Sequence, residues 1–525
     1  MQNGRGDFVI DDAATARPEI LAAASAAGTP FTTVSDGPAR RVRRTWLDTF
    51  DWRLYRAGLA LEQKSGHGGT ELILTGRDGE QLASLPVPAG GNGSGPPSWP
   101  SLTSALPPGP LRELVEPVAG IRALGPVARA ASRIRLHRVL NGDTKTVARL
   151  IVDEMSVSFP ARAHAPPRLS VVPVRGYQAQ SDRLSRTLGA NAAISPSGRS
   201  PLEIALAAAG QQPGRRTAVV QLDAAMPAAA ALAAILTAQL AVIEANVPGT
   251  VRDVDTEFLH DLRIAIRRTR SALKLAGRAL PGSLADRYRP DFKWLGDLTT
   301  PTRDLDVYLL GFDAMTASLE GAAAEDLQPF LAYLMRSRTA AHRDLARGLR
   351  SARFGRLTRQ WRTDLAAVRA PRKRPTAGQL AGQRIAAAQR RALRAGQRIT
   401  TASPATDLHE LRKDCKELRY LVELFGSLHD PELRWQAVRE LKALQDCLGE
   451  FQDAEVQRNE IRAFADQMLA QRSAPAATLL AMGEIAAGLA RRQRQARADF
   501  DSRFAAFASR PSQARLAALT GPGGA

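Results

Sequence analysis

Five side chains near the middle of this 525-residue chain, His260, Arg263, Arg267, Arg270 and Lys274, step by 3, 4, 3 and 4. At roughly 100° per residue, a helix gathers all five within about 80° of arc. Such a row suits the holding of an anion, because guanidinium and ammonium groups donate charged hydrogen bonds and imidazole gains charge beside an anion. The row returns as His409, Arg412, Lys416 and Arg419, after which Glu423 stands where Lys274 stood. Leu262, Ile266 and Leu273, and likewise Leu411, Cys415, Leu418 and Val422, take a separate arc about 110° away that suits burial in a helix bundle.

The two rows belong to a longer repeat. His260 and His409 are separated by 409 − 260 = 149 positions, and the same offset carries Leu262 onto Leu411, Arg263 onto Arg412, Arg270 onto Arg419 and Gly277 onto Gly426. It then carries Lys293 onto Lys442, Leu295 onto Leu444, Asp297 onto Asp446, Asp304 onto Asp453 and Val307 onto Val456. A register held this far downstream is an internal duplication. Asp304 with Asp306, and Asp453 with Glu455, are expected to pair with the arginines of the rows and hold their guanidinium forks in place. Metal ligation is the alternative for these acids.

Between the copies the chain is at its most basic, with 18 Lys and Arg against Asp344 and Asp364 over residues 331–400. Arg336, Arg343, Arg347 and Arg350 recur at helical spacing, as do Arg384, Arg391, Arg394 and Arg398. Like charges in such excess repel one another on a helix unless an anion compensates them, so a polyanionic partner is expected. Arg336, Arg343, Arg347, Arg391 and Arg394 join the two rows as candidate contacts.

The whole chain carries a net charge of +20, and its isoelectric point is near 10.9. Its two cysteines, Cys415 and Cys447, exclude a disulfide scaffold and fit a reducing, cytoplasmic compartment. No secretory signal is evident. The apolar run Ala224 to Leu236 is shorter than the roughly 20 residues a bilayer requires and is read as the buried first helix of the second half.

Residues 1–180 carry short alternating runs, among them RRVRRTWLDT, TELILTGRDGEQLASLPV and TVARLIVDEMSVSF, with RDGE at 77–80 and NGD at 141–143 as hairpin turns. The fold class is therefore α+β: an antiparallel β tunnel or barrel, a linker over 181–222, and a helical domain over 223–510 with repeats near 223–370 and 380–510, leaving 511–525 as a tail. Arg41 and Arg43, and Arg133 and Arg135, are each spaced by two, and with Lys64 they are expected to line a basic concave face.

Two family resemblances follow. The segment TWLDTFDWRLYRAGLALEQKS, through Trp46, Asp48, Thr49, Leu54, Gly58 and Leu61, resembles the CYTH or triphosphate-tunnel family, which implies an eight-stranded antiparallel tunnel holding a triphosphate. The opening Glu-x-Glu-x-Lys of active members is missing. Asp11 and Asp12 stand nearby but alternate on a strand, as do Asp153 and Glu154, and Glu62 and Lys64 replace the family's Arg-x-Arg. The residues that would hold catalytic metal ions are largely absent, so no catalytic residue, metal or cofactor is assigned. The segments EFLHDLRIAIRRTRSALKLAG and LHELRKDCKELRYLVELFG, followed by KWLGDLTTPTRDLDVYL and LKALQDCLGEFQDAEV, closely resemble the CHAD family over about residues 221–510. That resemblance implies two similar four-helix bundles around a basic channel that binds inorganic polyphosphate, with contacts from the residues of the two rows, and association with polyphosphate granules.

The leading expectation is thus non-catalytic polyphosphate binding. Metal-dependent triphosphate hydrolysis in the N-terminal half and nucleic-acid binding are the alternatives. Aromatic residues make up 5% of the chain and none is interleaved with the rows as read, which argues against a stacking groove for single strands.

Overall fold

The structure is a computed structural model, and it describes residues 6–10, 31–87, 98–191, 194–214, 220–276, 279–280, 282–369 and 375–521. Asp11, Asp12 and Gly277, named above, lie outside the described residues. The chain divides into two compact units, residues 1–216 and 217–525.

The first unit is one antiparallel sheet. Its strands are β1 (Gly6–Ile10), β2 (Thr32–Ser35), β3 (Arg40–Thr49), β4 (Leu59–Gly66), β5 (Gly69–Gly76), β6 (Gln81–Val87), β7 (Leu124–Leu140), β8 (Thr146–Phe159), β9 (Ala163–His164), β10 (Arg168–Pro173) and β11 (Ile194–Pro196). They run in the order β11-β1-β10-β8-β7-β3-β4-β5-β6, with β2 added to β7 and β9 to β8. The turns at 77–80 and 141–143 join β5 to β6 and β7 to β8, as Asp-Gly and Asn-Gly pairs do. Among the described residues the ladder does not close, and β6 and β11 are its ends.

Four helices complete this unit: α1 (Arg53–Arg56), α2 (Pro110–Ala119), α3 (Gln178–Gly189) and α4 (Pro201–Ala208). Leu184 and Leu188 of α3 enter a core with Phe8, Leu150 and Leu169, while Leu202 and Leu206 of α4 pack on Trp46, Ala130 and Val157. The expected linker over 181–222 is thereby corrected: residues 178–208 are part of the β unit, because apolar side chains at helical spacing find the sheet face to cover.

Register also corrects the expected basic face. Arg41 lies directly opposite Arg133 on the neighbouring strand, so those pairs share one face. Lys64 lies opposite Arg44 and belongs to the other face. There Arg44 donates to both oxygens of Glu62 at 2.6 and 2.7 Å and to Asp153 at 3.0 Å, all three side chains being largely buried. Glu154 turns the other way and takes Arg135 at 3.1 Å.

The second unit is helical: α5 (Ala228–Val251), α6 (Thr256–Ala276), α7 (Gly282–Leu310), α8 (Phe312–Thr316), α9 (Gln328–Leu349), α10 (Ala352–Ala366), α11 (Ala377–Gln397), α12 (Ala405–Leu424), α13 (Pro431–Ala470), α14 (Ala476–Ala508) and α15 (Arg510–Ala518). In the first copy α6 packs on α5 and α7, and α7 on α9; in the second, α12 packs on α11 and α13, and α13 on α14. Counterparts also touch across the copies: α5 with α11, α6 with α12, and α9 with α14. One core runs through both, from Leu232 and Leu262 to Leu411 and Leu444, so neither copy buries its apolar arc alone. Leu516 and Leu519 enter this core, and α15 is a packed helix rather than the expected tail. By length and composition α5 is apolar enough to cross a membrane, with a mean hydropathy of 1.8, but half of that window is buried within the unit.

Candidate anion-binding site

The row helices α6 and α12 are neighbours, and their ion pairs fix how they lie. Arg268 on α6 pairs with Glu423 on α12 at 3.3 Å, and Lys274 on α6 pairs with Glu417 on α12 at 2.8 Å. In the repeat register, 268 + 149 = 417 and 274 + 149 = 423, so the two contacts are one contact seen from each side. Reciprocity of this kind is the mark of a two-fold relation. The helices run antiparallel about a point at Ser271 and Tyr420, themselves counterparts (271 + 149 = 420).

Around that point the inner cations of both rows meet. Lys416 feels Arg412, Arg267 and Arg419; burial first, and these neighbours next, push its ammonium down to about 8, with Asp453 only partly opposing. Arg267 and Lys416 occupy equivalent repeat positions (267 + 149 = 416) on the two helices, and Arg267 lies close enough to disfavour the charge of Lys416. The Arg267 and Arg419 guanidiniums lie over the Tyr420 ring at 5.3 and 5.5 Å. Among the described residues no carboxylate reaches ion-pair range of Arg267, Arg270 or Lys416, whereas Arg419 approaches Glu423 at 3.4 Å. Arg270 lies across α7 where Gly296 leaves room: a Cβ there would be 2.8 Å from its Nη1.

The outer members are held in matching ways. Arg412 donates to Asp453 at 2.9 Å, and Arg263 approaches Asp304 at 4.0 Å while donating to Thr300 Oγ1 at 2.8 Å. Asp453 therefore holds Arg412, while Asp304 stands at the edge of ion-pair range of Arg263, whose hydrogen bonds go to Thr299 and Thr300. Asp306 holds neither: it is buried and takes Arg338, which also holds Asp253. His260 is half-buried, and burial, with Arg303 and Arg267, holds its imidazole below the ordinary value against opposition from Glu257 and Asp261. His409 is exposed, its Nδ1 2.9 Å from Gln452 Oε1. Antiparallel packing puts the two histidines at opposite ends of the helix pair.

The remaining candidates are placed less centrally. Lys274 is tied to Glu417, and Arg391 engages Glu417 and Asp414, on the flank of α12 beside the row. Arg336 and Arg343 are exposed on α9, Arg347 is exposed and paired with Asp344 at 3.0 Å, and Arg394 is exposed on α11. Two residues escaped the sequence reading. Arg303, on α7, lies close enough to repel both His260 and Arg263, and its Nη1 is buried without an acceptor among the described residues. Tyr420 continues the row at Lys416 + 4, a spacing that would have revealed it had aromatic residues been counted with the cations.

Guanidiniums from both copies and the Lys416 ammonium are thus gathered along the α6/α12 pair, a set of donors of the kind that oxyanions accept from. The CHAD domain family model matches residues 234–462, a span that contains both row helices. Among solved structures, the crystal structure of the CHAD domain from the plant Ricinus communis is similar at 28% sequence identity over 56% of this chain and 97% of that chain, with a TM-score of 0.47. PptA from Streptomyces chartreusis is similar at 21% identity over 53% of this chain and 99% of its own, with a TM-score of 0.42. A search of curated proteins gave no match. With the duplicated histidine and arginine rows on its paired helices, the second unit of this chain carries a CHAD domain.

Proposed function

We propose that the helical unit binds inorganic polyphosphate without transforming it, along the α6/α12 pair, and that the protein is carried on polyphosphate granules in the cytoplasm. The observation that carries the reading is the meeting of Arg267 and Lys416 across the two-fold point, neither neutralised by a carboxylate and Lys416 half-buried. Such an arrangement is stable only at a cost that a bound anion removes.

The symmetry favours a particular polyanion. Arg263 and Arg412 each lie eight residues from the two-fold point, so the row spans about 24 Å at 1.5 Å per residue. A linear phosphate polymer reads the same from either end and presents equivalent oxygens to both copies. A nucleic-acid strand has a direction, and its sugars and bases would meet the two copies differently.

Calorimetric titration of the full-length protein with long-chain polyphosphate at fixed salt tests this. The double variant Arg267→Glu, Lys416→Glu should lose affinity by about 100-fold or more, since two charge-assisted contacts become repulsive, while circular dichroism and melting stay near wild type. Unchanged affinity in the variant, or displacement of polyphosphate by duplex DNA or RNA at equal charge concentration, overturns the reading.

A further inference from the structure

We propose that Tyr420 is a ligand-binding residue of this site, donating its hydroxyl to a phosphate oxygen; the proposal rests on the polyphosphate reading. Tyr420 is 8% exposed, yet it is not a member of the apolar cluster that takes in its neighbours Leu418, Leu421 and Val422. Its ring is instead flanked by two guanidiniums, Arg267 from one copy and Arg419 from the other. Its hydroxyl is buried and has no hydrogen-bond partner among the described residues. A buried phenol ordinarily finds one.

A neighbouring unfilled group is of the same kind. Arg412 Nε, on the same helix, is also buried without a hydrogen-bond acceptor, whereas Arg419 Nε has Glu423 Oε1 at 3.4 Å. Both the phenol and Arg412 Nε can donate, so what satisfies them must accept. Ionised phosphate oxygens accept strongly from both. Tyr420 also breaks the repeat: its counterpart in the first copy is Ser271, too short to stack beneath either guanidinium. The ring thus serves both copies from one side, setting the planes of Arg267 and Arg419 and adding a neutral donor between them.

The test compares wild type, Tyr420→Phe and Tyr420→Leu as full-length proteins, titrated with long-chain polyphosphate over a range of salt. Tyr420→Phe keeps the ring and loses the donor. It is expected to weaken binding about tenfold with no change in the slope of log affinity against log salt, because a neutral hydroxyl releases no counterion. Without ligand it should melt at or above the wild-type temperature, since a buried unsatisfied group has gone. Tyr420→Leu should weaken binding further by freeing the two guanidiniums. Wild-type affinity in Tyr420→Phe, or a lowered melting temperature of the unliganded variant, overturns the role of Tyr420 alone. Absence of binding by the wild-type protein removes the polyphosphate reading with it.

Discussion

At the scale of single residues, Lys416 is the most informative group, because its charge depends on what sits beside it. Its ammonium ordinarily titrates at 10.5 and here at about 8, so between those values the unfolded chain holds a proton that the folded chain has released. Stability contributed by this group therefore rises with pH through that window, and below it the charged lysine is a burden on the fold. A polyanion reverses the balance by favouring the charged form. Polyphosphate binding near pH 9 should consequently take up about one proton per chain, read from calorimetry in buffers of different ionisation heat, and Lys416→Arg should abolish that uptake. Binding heats independent of buffer in the wild type would refute it. Asp48 illustrates the opposite use of a charged group: buried in the β unit, it accepts the backbone N–H groups of Thr49, Leu54 and Tyr55 and so caps the turn of α1. Asp48→Ala strands those donors and should cost about 3 kcal/mol, measured by denaturant unfolding.

At the scale of elements, helices of the bundle close on one another where small residues leave room. Gly396 on α11 faces Phe504 on α14 so closely that a methyl group would overlap the ring. Gly396→Ala should destabilise the helical unit by about 2 kcal/mol without altering polyphosphate affinity at temperatures where the variant is folded; an unchanged melting temperature would show that the two helices part easily. The crossed pairs Arg268 with Glu423 and Lys274 with Glu417 contribute differently. They are partly exposed and individually weak, but they select antiparallel packing of α6 on α12. Glu423, which in sequence looks like a lost cation of the second row, is the counterpart that completes the reciprocal contact.

At the scale of the molecule, the two units treat their arginines in opposite ways. In the β unit Arg44 is bound by Glu62 and Asp153, so an internal carboxylate pair already occupies its donors. In the helical unit Arg267, Arg270 and Lys416 have no carboxylate within ion-pair range among the described residues. Full-length protein should therefore release no phosphate from tripolyphosphate with magnesium or manganese, while its polyphosphate affinity falls steeply with salt. Phosphate release above the blank, abolished by Asp153→Asn, would assign catalysis to the β unit after all.

The 149-residue repeat, the two cationic rows and the division into strands followed by helices are all legible in the sequence, because each depends on periodicity along one chain. The pairing of Arg263 with Asp304 and Arg412 with Asp453 was legible for the same reason: the register repeats it. What the sequence could not supply is which charges remain uncompensated, since that depends on contacts between segments far apart in the chain. Lys274 and Arg391 look like members of an anion site and are paired with Glu417 and Asp414, while Arg303 and Tyr420 look incidental and stand beside the row arginines. Local spacing assigns a side chain to a face of its helix; only packing decides what that face meets.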